Sequence, residues 1–387
     1  MSRRVPSLFP ELTDEAETLH STGILPSQML RDLIDAGHLR ASHPIHPSQI
    51  QPSSVDLRLG SKAYRVRASF LPGANSTVSR KLDLYTEEAI SLETPQQLHK
   101  GWVYVVPLQE ELLLPYDISG RANPKSSTGR LDIFTRLITD YGREFERVPA
   151  GYKGPLYAEI VPGTFHIIAR EGDRLNQLRL SRGQPGASDA RLSQLDQAER
   201  LVYDDFEAPR DAHIDRGLVF SVDLSGYQNS EIIGYRAKKG APVLDLSRIG
   251  QYDPSHFWVP IPRSPQRDLV LNPEEFYILA SREKVRIPPR FAAEMVPYDP
   301  SVGEFRIHYA GFFDPGFGYG TDDVKGTRAV LEVRSHEVPF LLEDGQSVGR
   351  LTFERLMAVP DILYGRDIGS SYQTQGLALS KHFKLPA

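Results

Sequence analysis

Apolar residues along this chain come in short runs broken by turn-forming residues. WVYVVPL at 102–108, PLYAEIVPG at 155–163, TFHIIAR at 164–170, FYILAS at 276–281 and RAVLEVR at 328–334 are rich in β-branched and aromatic side chains and too short for buried helices. They predict strands. Helical period is rare, and its clearest instance is PSQMLRDLIDAGHL at 26–39, where Ser27 is expected to cap a helix that buries Met29, Leu30, Leu33 and Ile34. Thirty Gly and thirty Pro spread along the chain supply the turns that a mostly β fold requires. In the run 328–334, the two-residue period puts Glu332 on the face of Val330. Either Glu332 is an outward-facing strand residue, or a carboxylate is buried on a strand and asks for a reason.

The pattern also repeats. Val55-Asp56-Leu57 followed by AYRVRA is echoed by Val222-Asp223-Leu224 followed by IIGYRAK, and YAEI with Glu159 is echoed by VLEV with Glu332. EGDRLNQLRL at 171–180 is echoed by DGQSVGRLTF at 344–353, at the same interval that separates Glu159 from Glu332. Between the halves lies SRGQPGASDARLSQLDQAER at 181–200, a polar segment with linker chemistry and a short helix at its end. At 387 residues the chain exceeds the roughly 100–200 of a single domain, so two domains are expected, 1–200 including the leader and the linker 181–200, and 201–387.

Composition removes several chemistries. A net charge of −5 offers no general field for polyanions, which disfavours a nucleic-acid binder. The absence of cysteine excludes disulfides, thiolate nucleophiles and Cys-ligated zinc. MSRRVPSLFPELTDEAETLH carries no apolar run behind its basic start, and no stretch approaches the roughly 18 apolar residues of a membrane span. A cytoplasmic protein without a membrane segment is expected.

Two segments carry candidate chemistry. PKSSTGRL at 124–131 gathers Lys125, Ser126, Ser127 and Arg130, whose hydroxyls and guanidinium suit polyphosphate oxygens. A polar β-turn with locally capping serines accounts for the same residues. HYAGFFDPGFG at 308–318 is a glycine-dense hairpin that can bring backbone N–H and C=O groups to the edge of a base, with aromatics beside it. Asp314 or Glu332 could then activate water, although Asp-Pro-Gly alone is also an ordinary turn.

Taken together these segments resemble the dCTP deaminase and dUTPase superfamily. KSSTGRL is similar to that family's phosphate motif, HYAGFFDPGFG followed by VLEV to its base-reading hairpin and catalytic strand, and GQSVGRL to the strand that follows. YGRDIGSSYQTQG at 364–376 resembles the tail that folds over the triphosphate, and PSQMLRDLIDAGHL with SSVDLRLG the opening helix and first strand. The resemblance implies two tandem dUTPase-like β domains of barrel or jelly-roll type with a few short helices. It implies that Lys125, Ser126, Ser127 and Arg130 hold phosphates, that Ala310, Gly311, Phe312 and Asp314 lie in the base hairpin, and that Tyr372 and Gln375 close over the phosphates. Glu332 is the expected general base and Glu159 the reserve. The halves depart from the family in complementary ways: the second shows VPYDPSVGEF at 296–305 where the phosphate motif belongs, and the first shows TDYGREFERVPAGYKG at 139–154 in place of the hairpin. A composite site is expected, built from both halves either within one chain or between neighbours.

The function implied is hydrolytic deamination of dCTP to dUTP and ammonia, which supplies dUTP for dUMP and thymidylate synthesis. Zinc deaminases work through an H-x-E…P-C-x-x-C site, which a chain without cysteine does not possess. No protein-held metal is expected. Magnesium would enter with the triphosphate, the nucleotide being the small-molecule partner, and a homo-oligomer is left open. The alternatives are a bifunctional deaminase that carries dCTP to dUMP, a dUTP diphosphatase, and a non-catalytic nucleotide-binding regulator.

Overall fold

The computed structural model describes residues 20–297, 305–307, 311–319, 324–335, 337–365 and 376–384, with only the backbone at 229, 297 and 305–307. Ala310, Tyr372 and Gln375 lie outside these residues, as does the leader 1–19. The chain is mostly β, with each half folded as a pair of facing sheets in a dUTPase-like arrangement. In the first half, Gly23–Ile24, Asn176–Arg182, Ile118–Pro124 and Arg147–Val148 pair in that order. In the second, Leu218–Ser221, Ser347–Arg355, Phe291–Pro297 and Phe312–Phe313 do the same. The opposite sheets also correspond. Thr86–Ser91, Lys62–Val66, Val103–Leu113, Lys153–Pro162 and Ile133–Thr139 are matched by Trp258–Pro262, Ile232–Ala237, Phe276–Val285, Thr327–Ser335 and Phe305–Ile307.

Four of the five strand runs read from the sequence fall on these strands to within a residue, because alternation of branched side chains suits a pleated surface, while TFHIIAR at 164–170 forms only the short strand Ile167–Ala169. The helix Ser27–Asp35 buries Leu30 and Leu33, with Met29 and Ile34 packed beside them. Its cap differs from expectation. Pro26 occupies the N-cap position, and the Ser27 hydroxyl bonds Asp361 instead of a backbone N–H of its own first turn. A partner more than three hundred positions away thus displaces the local capping bond. The segment 181–200 is only partly linker: the strand Asn176–Arg182 ends in it, and Ser188 caps a helix over Asp189–Glu199 whose Leu192 enters the second core.

The two halves are joined by more than that connection. Ile167–Ala169 of the first half pairs in parallel with Leu244–Asp245 of the second, extending a sheet across the boundary. The strand Thr327–Ser335 is buried on both faces. Ala329, Leu331 and Val333 face the second half's own core, while Val330 packs with Trp258, Phe276 and Ile278 into the core of the first half. Glu332 and Arg334 share the Val330 face, so the period-two register delivers both to the boundary between halves.

The corresponding face in the first half is covered differently. There Tyr157, next to Glu159, packs under Val66, Val78 and Leu82, the last two on the helix Val78–Tyr85. The chain's own segment between Val66 and Thr86 thus closes over the Glu159 side of the strand.

Candidate active site

The phosphate-motif residues sit on one helical turn, Ser126–Gly129, between the strands Ile118–Pro124 and Ile133–Thr139. This helical turn stands where a β-turn was the simpler expectation. Ser126 is exposed, Ser127 buried, and Arg130 follows as the C-cap. The Arg130 guanidinium reaches across to the second half, where its Nε lies 3.8 Å from Glu332 Oε1. Both side chains are buried. Burial pushes the Glu332 carboxyl up to about 7, with Arg130 pulling against that rise.

Two residues further along each segment the polarity reverses. Asp132 follows Arg130, Arg334 follows Glu332, and the two form an ion pair whose Nη2 also donates to Thr164 Oγ1 at 3.1 Å. The strand and the motif are therefore registered by two crossed charge pairs. Asp132 has a φ of +56°, and Gly163 lies against it so closely that a Cβ there would be 2.4 Å from Asp132 Oδ2.

The C-terminal residues Ala378–His382 lie against this arrangement. Arg130 Nη1 donates to the Ala378 carbonyl at 3.1 Å, and Ser380 Oγ donates to the Ser127 carbonyl at 2.9 Å. His382 accompanies Ser380, hydrogen-bonded to it at 2.9 Å and to the Leu246 carbonyl at 3.1 Å. Burial holds the His382 imidazole down at about 4, so it stays neutral near pH 7.

At the other end of the motif, Lys125 pairs with the buried Asp56, which Arg174 also approaches at 3.9 Å. Lys381 lies close enough to Lys125, Asp56 and Arg174 to feel their charge, and burial followed by Lys125 lowers its ammonium pKa. This cationic group suits a polyphosphate. Asp314 borders it, accepting from Ser53 Oγ at 2.7 Å and lying 3.8 Å from Arg179 Nη2. Burial raises its carboxyl, with Arg179 the main opposing influence.

The turn of the hairpin is fixed within its own half. Gly318 has a φ of +62°, and a Cβ there would lie 2.1 Å from the Val285 carbonyl, so the turn requires glycine. Phe313 and Phe317 belong to the second core. Phe312 lies under the Arg179 guanidinium at 3.9 Å, and Met295 N donates to the Gly311 carbonyl at 2.9 Å.

Glu159 has a different setting. It is fully buried and bound by Arg136 of the neighbouring strand, at 2.5 and 3.1 Å. Arg136 is itself held by Ser69 Oγ at 2.9 Å and stacked 3.4 Å from the Phe145 ring. The first-half glutamate is thus neutralised inside its own half, whereas Glu332 faces Arg130 of the other.

Sequence reading passed over Ser53, Asp56, Asp132, Arg174, Arg179, Arg334, Ser380 and Lys381. Asp56 was visible only as part of a repeated tripeptide. Arg334 carried a signal: it lies two positions from Glu332 on the same strand and so shares its side, whereas Asp132 follows Arg130 through a turn that no strand period describes.

This is a two-half, dUTPase-like β protein with a buried carboxylate facing a phosphate-type motif across the internal boundary, the architecture of a nucleotide-processing enzyme. Family models for the N-terminal and C-terminal domains of 2'-deoxycytidine 5'-triphosphate deaminase match residues 21–184 and 188–383, and the chain belongs to that family. A solved 2'-deoxycytidine 5'-triphosphate deaminase from Agrobacterium tumefaciens superposes with a TM-score of 0.83 at 49% identity, covering 88% of this chain and all of that one. Among curated relatives, the dUMP-forming dCTP deaminase of Corynebacterium kroppenstedtii is 36% identical over 142 residues, which is 35% of this chain and 69% of that protein. The dCTP deaminase of Natronomonas pharaonis is 28% identical over 158 residues, or 40% and 78%.

Proposed function

We propose that this chain hydrolyses the C4 amino group of dCTP, releasing ammonia and dUTP, at the site where Glu332 faces Arg130. The observation that carries the reading is the burial of Glu332 beside Arg130 with its carboxyl at about 7. A base with that value is half ionised near neutral pH and can both take a proton and return it. Glu332 takes a proton from the water that adds to C4 and passes it on as the amine leaves. Oxygen from water replaces nitrogen, and ammonia departs.

Lys125, Ser126 and Ser127 hold the triphosphate, with Arg174 and Lys381 nearby, and Arg130 joins phosphate recognition to the orientation of Glu332. Gly311 and Asp314 face the nucleoside in this reading, and Ala310, Tyr372 and Gln375 complete it as the family resemblance implies. Phe312 supports the hairpin from beneath through its stack with Arg179. Among the described residues no three His, Asp and Glu side chains gather into a cation cage. Magnesium would arrive on the phosphates and keep them as its principal ligands.

A second reading, onward hydrolysis to dUMP, is favoured by one observation: several curated relatives are named dUMP-forming. The test is product identification after incubation with dCTP and magnesium. Ammonia with dUTP supports the first reading, ammonia with dUMP and pyrophosphate the second, and unchanged dCTP refutes both.

A further inference from the structure

We infer that Arg179, a residue of the first half, is a positioning residue that holds the second half's hairpin in its substrate-reading conformation. The strand Asn176–Arg182 alternates Leu178 and Leu180 into the first core, so the same period turns Arg179 toward the other half. There it is buried, and both terminal nitrogens of its guanidinium are engaged. Nη1 donates to the Ala293 carbonyl at 3.1 Å and to Glu354 Oε2 at 3.3 Å. Nη2 donates to Ser53 Oγ at 3.2 Å and to the Phe313 carbonyl at 3.4 Å. The guanidinium plane lies over Phe312, and Asp314 stands at 3.8 Å.

Three consecutive hairpin residues, Phe312, Phe313 and Asp314, are thus addressed by one side chain: a ring, a carbonyl and a carboxylate. Lysine cannot do this, because a single ammonium lacks the planar fork and the face that stacks. The hairpin's own half secures Phe313 and Phe317 in its core but leaves the Asp314 carboxylate to Ser53 and Arg179, both from the first half. Substrate affinity in one half is therefore set by a residue of the other. Charged groups around Asp314 are Arg179, Lys125 and Asp56, with Glu354 and Glu294 on the strands behind the hairpin.

The inference rests on the deaminase reading, and the experiment separates the two. Steady-state dCTP deamination is measured for wild type, Arg179→Met, Arg179→Lys and Asp314→Asn, for the Arg179→Met/Asp314→Asn double variant, and for Arg121→Met as a control that breaks a different cross-half pair, with Glu294. Arg179→Met should raise KM about tenfold or more while kcat stays within about threefold. Arg179→Lys should fall between, and Arg179→Met should add little once Asp314 is Asn, since residues acting through one another are not additive. General destabilisation gives the opposite split, with less active enzyme, a lower apparent kcat and an unmoved KM.

An unchanged KM in Arg179→Met, full additivity in the double variant, or an equal KM rise in Arg121→Met each overturns the inference while leaving the deaminase reading intact. Should Arg179→Met fail to fold, Arg179→Lys carries the same cycle with Asp314→Asn. Wild-type protein that leaves dCTP unchanged overturns both.

Discussion

Replacing Glu332 by Gln should stabilise the protein in alkaline buffer relative to acid while abolishing its chemistry. Raising the carboxyl from its ordinary 4.5 to about 7 means that ionising it inside the folded chain costs roughly 3 kcal/mol more than in the unfolded chain. A group raised in this way contributes its stability below about pH 4.5 and loses it as pH climbs through about 7. Glutamine, of the same shape, has nothing to ionise. Its substitution leaves Arg130 facing a neutral group, a loss that does not vary with pH over this range, so the informative quantity is the difference between wild type and variant at two pH values. Between pH 5 and pH 8 that difference should move in the variant's favour by roughly 2–3 kcal/mol. Urea unfolding of both proteins at pH 5, 6, 7 and 8 measures it. Parallel stability curves would refute a buried, raised carboxyl at 332. In the same preparations turnover of the variant should be lower by about 10²–10⁴ with dCTP binding retained. The wild-type rate should fall about tenfold per pH unit on the acid side of 7, where the base is protonated.

Glu159→Gln should leave turnover near wild type but lower stability, because Arg136 loses a buried partner; a collapse of rate measured in the dCTP assay would move the base to the first half. Co-expressed Arg130→Ala and Glu332→Gln chains should stay inactive in mixed oligomers, since the two groups meet within one chain, and recovered activity would place the working pair between chains. Gly163→Ala should destabilise by about 1–3 kcal/mol in thermal or urea melts, as no space exists for its methyl group against Asp132.

Much of this arrangement could be read in the sequence, for identifiable reasons. The strands were visible because their two-residue alternation is local, and the face that Glu332 shares with Val330 offered burial as one of two alternatives, the one the structure takes. The division of motifs between halves was expected from the sequence because Glu159 and Glu332 recur at the interval that separates EGDRLNQLRL from DGQSVGRLTF, which aligns the two halves. What stayed hidden depends on residues distant in the chain. Ser27 had the chemistry of a cap, and only the approach of Asp361 diverted it. Arg179 looks like an exposed strand residue until the second half is packed on it, and the neutralisation of Glu159 requires knowing that Arg136 pairs beside it. Nothing in 67–85 announced that it would close the Glu159 face.

The crossed pairs Arg130–Glu332 and Asp132–Arg334 also have a consequence for behaviour on dilution. Partners that meet through association separate as concentration falls, but these are tethered by one chain, through the helix Asp189–Glu199 and the shared sheet at Ile167–Leu244. A short tether holds its ends at an effective concentration of order millimolar, far above that of any enzyme in an assay. Specific activity should therefore show no threshold arising from this contact, however thinly the protein is spread.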